Sequence, residues 1–131
     1  MDGLRIIEMD HIVLNVADID ASLAFYCDVL GLKGERVNEY RAGKVGFPSV
    51  RINADTLIDL MRYEGPPPAA RNLNHYCMVT EAIDLAALSA ELKARGVTVV
   101  TEPVSRWGAH GQATSIYILD PDGNEIELRH Y

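Results

Sequence analysis

His11, His75, Glu127 and Asp59 are the residues of this 131-residue chain whose types and spacing best suit chemistry. Neutral imidazoles with one or two carboxylates suit a borderline divalent ion such as Zn, Ni, Mn, Co or Fe(II). Two His and one carboxylate with open positions is also the facial arrangement of non-haem Fe(II) sites. Repetition sets these four apart. His11 and His75 lie 64 residues apart, and each opens a strand-like run, Asp10-His11-Ile12-Val13 and Asn74-His75-Tyr76-Cys77. Ile19-Asp20 and Ile83-Asp84 recur at the same offset. Ile58-Asp59-Leu60 matches Ile126-Glu127-Leu128 at an offset of 68. A His at one end and an acid at the other thus recur in both halves, in the same order.

The elements that must position these groups repeat as well. Residues 8–16 read as a strand rich in Ile, Val and Leu. Asp18 or Asp20 can cap the next helix, whose apolar positions Ile19, Leu23, Phe25, Tyr26, Val29 and Leu30 recur at helical spacing up to Gly31. Strands are expected near 33–40, 45–53 and 56–63. Gly65-Pro66-Pro67-Pro68 reads as a linker, since prolines cannot continue a sheet. The second half gives a strand at about 74–80, a helix at about 83–95, and strands near 97–104, 112–119 and 124–130. Asp120-Pro121-Asp122-Gly123-Asn124 is a turn between the last two. The expectation is one domain over residues 1–131, with βαβββ modules at about 8–63 and 74–131. Two such sheets side by side would curve around a cleft. Residues 36–48, 64–73 and 104–112 are expected to be loops that shape it.

Strand alternation then assigns faces. Ile12, Leu14 and Val16 take the helix-facing side, which leaves His11, Val13 and Asn15 on the open face with Met9. Asp59 opposes Ile58 and Leu60. Glu125, Glu127 and Arg129 oppose Ile126 and Leu128. His75 shares its face with Cys77 and Val79, and Tyr117 alternates with Ile116 and Ile118.

Composition narrows the function classes. Apolar residues make up 48% and charged residues 24%, as in ordinary globular chains, and the net charge is −7. An acidic balance offers no general basic face for a nucleic-acid backbone. No apolar run approaches the ~20 residues of a membrane span. Residues 1–9 are charged and lack a signal-peptide apolar core, so the cytoplasm is expected. Cys27 and Cys77 sit in apolar runs, which predicts buried free thiols rather than a disulfide.

The segments DHIVLNVADIDASLAFYCDVLGL, NHYCMV and SIYILDPDGNEIEL resemble the vicinal oxygen chelate superfamily. That group includes glyoxalase I, fosfomycin-resistance enzymes, methylmalonyl-CoA epimerase, extradiol dioxygenases and bleomycin-resistance proteins. The most specific segment is DPDGN followed by an apolar-acid-apolar triplet. The resemblance spans nearly the whole chain and implies an α+β fold of paired βαβββ modules around one divalent ion. His11, His75 and Glu127 fall on the usual ligand positions. Asp59 falls where glyoxalase I-like members carry a fourth, carboxylate ligand. A homodimer is implied, with ligands for one ion often drawn from both chains. Glyoxalase I relatives carry an arginine four residues after the first His, to hold glutathione, where this chain has Asn15. Glutathione-type fosfomycin enzymes carry a threonine where this chain has Val13. Extradiol enzymes share the triad and a tyrosine ten residues before the acid, here Tyr117, but are usually longer.

The chemistry implied is stabilisation of an oxyanion by the ion. Glu127 or Asp59 would move a proton, and Tyr117 would donate to a substrate oxygen. Asn15, Arg106 and His110 are the substrate-binding candidates. Arg106 would pair with a substrate carboxylate or phosphonate, and His110 would shuttle protons or close over the substrate from a polar loop. The leading expectation is a lyase, isomerase or transferase of glyoxalase or fosfomycin-resistance type acting on a small molecule. An Fe(II) extradiol dioxygenase and a drug-sequestering protein without chemistry are the alternatives.

Overall fold

A computed structural model describes residues 4–67 and 69–131. The readings that touch residues 1–3 and Pro68, parts of the N-terminal and linker assignments, lie outside the described residues there. The chain divides into two compact units, the first ending at Gly65 and the second starting at Pro66. Each is a four-stranded mixed sheet with one principal helix, so the fold is α+β and each half is a βαβββ module.

In the first unit β1 (His11–Val16) is followed by α1 (Ile19–Leu23), which continues as π-helical turns over Ala24–Val29. Asp18 caps α1, its side chain accepting from the Ala21 amide at 3.1 Å. The wider turns show in the Leu30 amide donating to the Phe25 carbonyl, five residues back. β2 (Lys33–Glu35), β3 (Ser49–Arg51) and β4 (Leu57–Arg62) complete a sheet of order β1-β4-β3-β2. β1 and β4 are parallel, and the other pairs are antiparallel. Leu14, Val16, Val50, Ile58 and Leu60 meet Ile19, Leu23, Phe25 and Tyr26 in the core. Each such side chain contributes roughly 1.5–3 kcal/mol on burial.

The second unit repeats this order. β5 (Tyr76–Val79) is followed by α2 (Leu85–Ala94), then β6 (Val99–Gly108), β7 (Gly111–Leu119) and β8 (Glu125–His130), in sheet order β5-β8-β7-β6. Asp84 caps α2 through the Ala86 and Ala87 amides. Leu85 and Leu92 from α2 are buried, as are Ile116, Ile118, Ile126 and Leu128 of the sheet. Asp120 closes the β7–β8 turn by accepting from the amides of Asp122 and Asn124 and from the Asn124 side chain.

Four expectations need correction. The strand expected over 33–40 stops at Glu35, because Arg36 adopts a left-handed φ of 58° and Val37–Arg41 form a short helix. The strand expected over 45–53 is accordingly only Ser49–Arg51. The loop expected over 104–112 is instead the end of a long hairpin. β6 runs to Gly108 and β7 starts at Gly111, leaving only Ala109 and His110 in the turn. Gly111 takes a φ of 101°, the positive value that such a tight turn needs. The thiols are not buried either. Cys27 is half-buried and Cys77 exposed, since alternation puts Cys77 on the open side of β5. Among the described residues no helix is long and apolar enough to cross a membrane.

Candidate metal centre

β1 lies parallel to β4 with Val13 opposite Asp59, and β3 brings Ser49 to the other side of Asp59. His11 stands two residues before Val13. These registers put His11, Asp59 and Ser49 in one neighbourhood. The His11 Nε2 is 3.8 Å from Asp59 Oδ2. The Ser49 hydroxyl donates to Asp59 Oδ1 at 2.6 Å and leaves the other oxygen toward the imidazole. Asp59 is 7% exposed, and Ser49 is buried.

On its far side, His11 Nδ1 is 2.6 Å from the Asp10 carboxylate. A carboxylate only accepts, so the proton sits on Nδ1 and Nε2 keeps its lone pair when the ring is neutral. The hydrogen bond to Asp10 raises the His11 pKa above 6.5; desolvation opposes this, and the charges of Asp59 and Asp10 add to it.

The second unit builds the same arrangement with longer side chains. Across β5, β8 and β7, Glu127 has Cys77 opposite it on one side and Tyr117 on the other. His75 stands two residues before Cys77. Its Nδ1 is 2.7 Å from the Asn74 side-chain oxygen, which accepts from the ring as Asp10 does from His11. The His75 ring meets Tyr117 edge-on, with centroids 5.4 Å apart. The Tyr117 hydroxyl donates to Glu127 Oε1 at 2.5 Å.

Glu127 is 4% exposed, and its burial by itself would raise its pKa. The hydrogen bonds from Tyr117 and Cys77, with the charges of Arg129 and His75, outweigh that and hold it below 4.5. The same network pushes its donors up. The Cys77 thiol rises to about 12, first by desolvation and then by the neighbouring Glu127. Tyr117 rises above 10 for the same two reasons in the same order.

Arg129 completes this cluster. It is 2% exposed, with Nη1 3.7 Å from Glu127 Oε2. Its guanidinium donates to the carbonyls of Arg106, Trp107 and Gly111 at 2.8, 3.2 and 3.3 Å. Strand parity placed Arg129 on the face of Glu127 without giving it a role. Ser49 was missed altogether. It lies ten residues before Asp59, just as Tyr117 lies ten before Glu127, so the internal repeat contained the signal.

The substrate-binding candidates are placed unequally. Asn15 is exposed on β1, on the His11 face. Arg106 lies over the Tyr117 ring, with its guanidinium carbon 6.0 Å from the centroid. His110 belongs to the hairpin turn. Its amide donates to the Tyr131 hydroxyl at 3.1 Å and its ring packs edge-on to Tyr131. It sits in the connecting turn and is not part of the Tyr117–Glu127 cluster.

Each unit supplies an imidazole with a free Nε2 and a carboxylate held by a hydroxyl. The 3.8 Å between His11 and Asp59 is near the separation of adjacent donors on one ion, about 3 Å for two bonds of roughly 2.1 Å at right angles. The donor chemistry therefore fits a divalent ion. Among the described residues no three His, Cys, Asp or Glu side chains gather closely enough to hold an ion.

Comparisons with known proteins agree with this architecture. The Salmonella typhimurium virulence protein STM3117 is 32% identical over 94% of this chain and 83% of its own length. A Synechocystis protein named "Probable lactoylglutathione lyase" is 31% identical over 90% of this chain and 91% of its own. The structure of an integron cassette protein from the mobile metagenome of V. cholerae has 33% identity and a TM-score of 0.75, and covers 98% of both chains. Residues 8–128 match one family along almost the whole sequence, and on that match the chain belongs to the Glyoxalase/Bleomycin resistance protein/Dioxygenase superfamily.

Proposed function

We propose that this chain is a metal-dependent enzyme acting on a small molecule, with lyase, isomerase or transferase chemistry of glyoxalase or fosfomycin-resistance type. One divalent ion (Zn, Ni, Mn, Co or Fe(II)) would take His11 and Asp59 as one pair of donors and His75 and Glu127 as the other. The observation that carries this reading is the matched construction of the two pairs. In each unit the residue before the His fixes Nδ1, and a hydroxyl ten residues before the acid fixes the carboxylate. Such outer contacts orient metal ligands and set the imidazole tautomer. The similarity to a protein named "Probable lactoylglutathione lyase" supports the same reaction class.

When bound, the ion would act as a Lewis acid toward negative charge developing on a substrate oxygen. The protein's own groups would do the rest. Glu127, held ionised by Tyr117, Cys77 and Arg129, would accept a proton if it leaves the ion during turnover. Asp59 has Oδ2 uncommitted to Ser49 and can do the same. Tyr117 keeps its proton at neutral pH and can donate to a substrate oxygen. Arg106, over the Tyr117 ring, carries charge for an anionic substrate group. Asn15 and His110 would make further polar contacts.

The donors would come from one chain or from two. A homodimer is part of the proposal, supported by the exposed apolar residues Leu4, Ile6, Ile7 and Met9 ahead of β1, with Ile6 88% exposed. The test is metal analysis of protein purified without chelators, with thermal midpoints before and after stripping. Retained metal and a lower midpoint once stripped are expected. Protein that holds no divalent ion, and whose midpoint none changes, would refute the proposal. A second reading as an Fe(II) dioxygenase is favoured by Tyr117 packing on His75 while bonded to Glu127. Oxygen uptake with catechols on Fe(II)-loaded protein decides between them, and no uptake removes the second.

A further inference from the structure

Arg129 is the most deeply buried charged side chain of the second unit, and the reaction scheme above gives it no step. Burying a guanidinium is costly unless its donors and its charge are both answered. Here Nη1 and Nη2 are answered by three carbonyls, all from the end of one hairpin: Arg106, Trp107 and Gly111. The charge is answered by Glu127 at 3.7 Å. Nε has no hydrogen-bond partner among the described residues. The Tyr131 ring covers the guanidinium at 4.8 Å, and its hydroxyl takes the His110 amide. Gly108 has no side chain at this point, and a Cβ there would collide with the Arg129 guanidinium and the Tyr131 hydroxyl. The hairpin end is thus built around the arginine.

We propose that Arg129 is a positioning residue that ties the Glu127 carboxylate to the hairpin end carrying Arg106, Trp107 and His110. One cation serves both sides. Its charge holds the Glu127 carboxylate in aim, and its planar fork holds three carbonyls of the hairpin end. Anything that changes the charge at Glu127 changes what Arg129 must neutralise, and so loosens or tightens the hairpin end. The role in ion binding rests on the reading of Glu127 as a ligand. The coupling to the hairpin does not.

The test uses E127Q, R129K, R129M and the double variant E127Q/R129M, with two readouts. The first is zinc affinity of chelator-treated protein by calorimetry. The second is hydrogen–deuterium exchange over residues 106–112, compared with exchange in β7 and β8 so that a global loss of stability is recognised. R129M is expected to weaken zinc about 10- to 100-fold. R129K, which keeps the charge but not the fork, recovers most of that affinity while the hairpin end stays unprotected. E127Q is expected to speed exchange at 106–112 in the wild-type background and to add nothing in the R129M background. R129M with zinc affinity within twofold of wild type, while E127Q loses zinc, overturns the ion-binding role and leaves the metal reading standing. E127Q with unchanged zinc affinity refutes the metal reading and, with it, the ion-binding role of Arg129. In either case, equal increments of exchange from E127Q with and without Arg129 overturn the coupling.

Discussion

Tyr117 and Glu127 face each other across adjacent strands, and the phenol donates to the buried carboxylate at 2.5 Å. Glu127 is almost inaccessible to water, so this bond replaces hydration that the carboxylate has lost. Hydrogen bonds to charged groups contribute about 1.5–3 kcal/mol. Y117F is expected to lower unfolding free energy by roughly that amount in urea titration. It should also raise the Glu127 pKa relative to wild type, as read by carboxyl NMR.

Glu127 also predicts the acid limb of stability. Its pKa lies below 4.5 in the fold, so the charged form is favoured there more than in the unfolded chain. Stability from this source is fully present above about 4.5 and is lost as pH falls through the folded value. In metal-free protein, E127Q is expected to be less stable at neutral pH but to lose less between pH 5 and the acid transition. Superimposable slopes for the two proteins over that range would contradict this.

His11 carries the opposite sign. Its pKa is raised above 6.5, first by the hydrogen bond to Asp10. Its contribution is therefore present below about 6.5 and lost as pH rises through the folded value. In metal-free protein the His11 ring should titrate above 6.5 by NMR, and D10N should bring it down. Asn offers an oxygen but no charge, so D10N turns this site into the arrangement already present at Asn74 and His75.

Ser49 and Gly108 give two stability predictions of different kind. S49A removes the only hydrogen bond that the described structure gives the Asp59 carboxylate, at a buried position, and should cost about 1–3 kcal/mol. G108A places a methyl group against a guanidinium already tied to three carbonyls, and should cost about 1–3 kcal/mol by overpacking. Chemical denaturation measures both. A variant within a few tenths of wild type would show that the site relaxes freely.

Much of this arrangement could be read in the sequence, and the unread parts have physical reasons. Alternation in β1, β4 and β8 depends on Ile and Leu at every second position, so it placed His11, Asp59 and Glu127 on the correct faces. The break at Arg36 had no signal, because a non-glycine residue at positive φ is rare. The hairpin at 104–112 was hidden because polar strand residues such as Ser105, Arg106 and Gln112 look like loop. Cys77 was misjudged because an apolar neighbourhood in sequence does not say which face of a strand a thiol takes. Arg129 was placed on its face but given no role, since only its carbonyl partners, around twenty residues away in sequence, reveal one.

The two carboxylates are not spare copies of each other. Asp59 is the shorter acid and is held by serine, the shorter hydroxyl; Glu127 is longer by a methylene and is held by tyrosine. Reach on one strand is matched by reach on its neighbour. D59E alone would push a carboxylate into the space of Ser49, and E127D alone would strand the phenol. Redesign of either side must therefore exchange acid and hydroxyl together, as a length-matched couple.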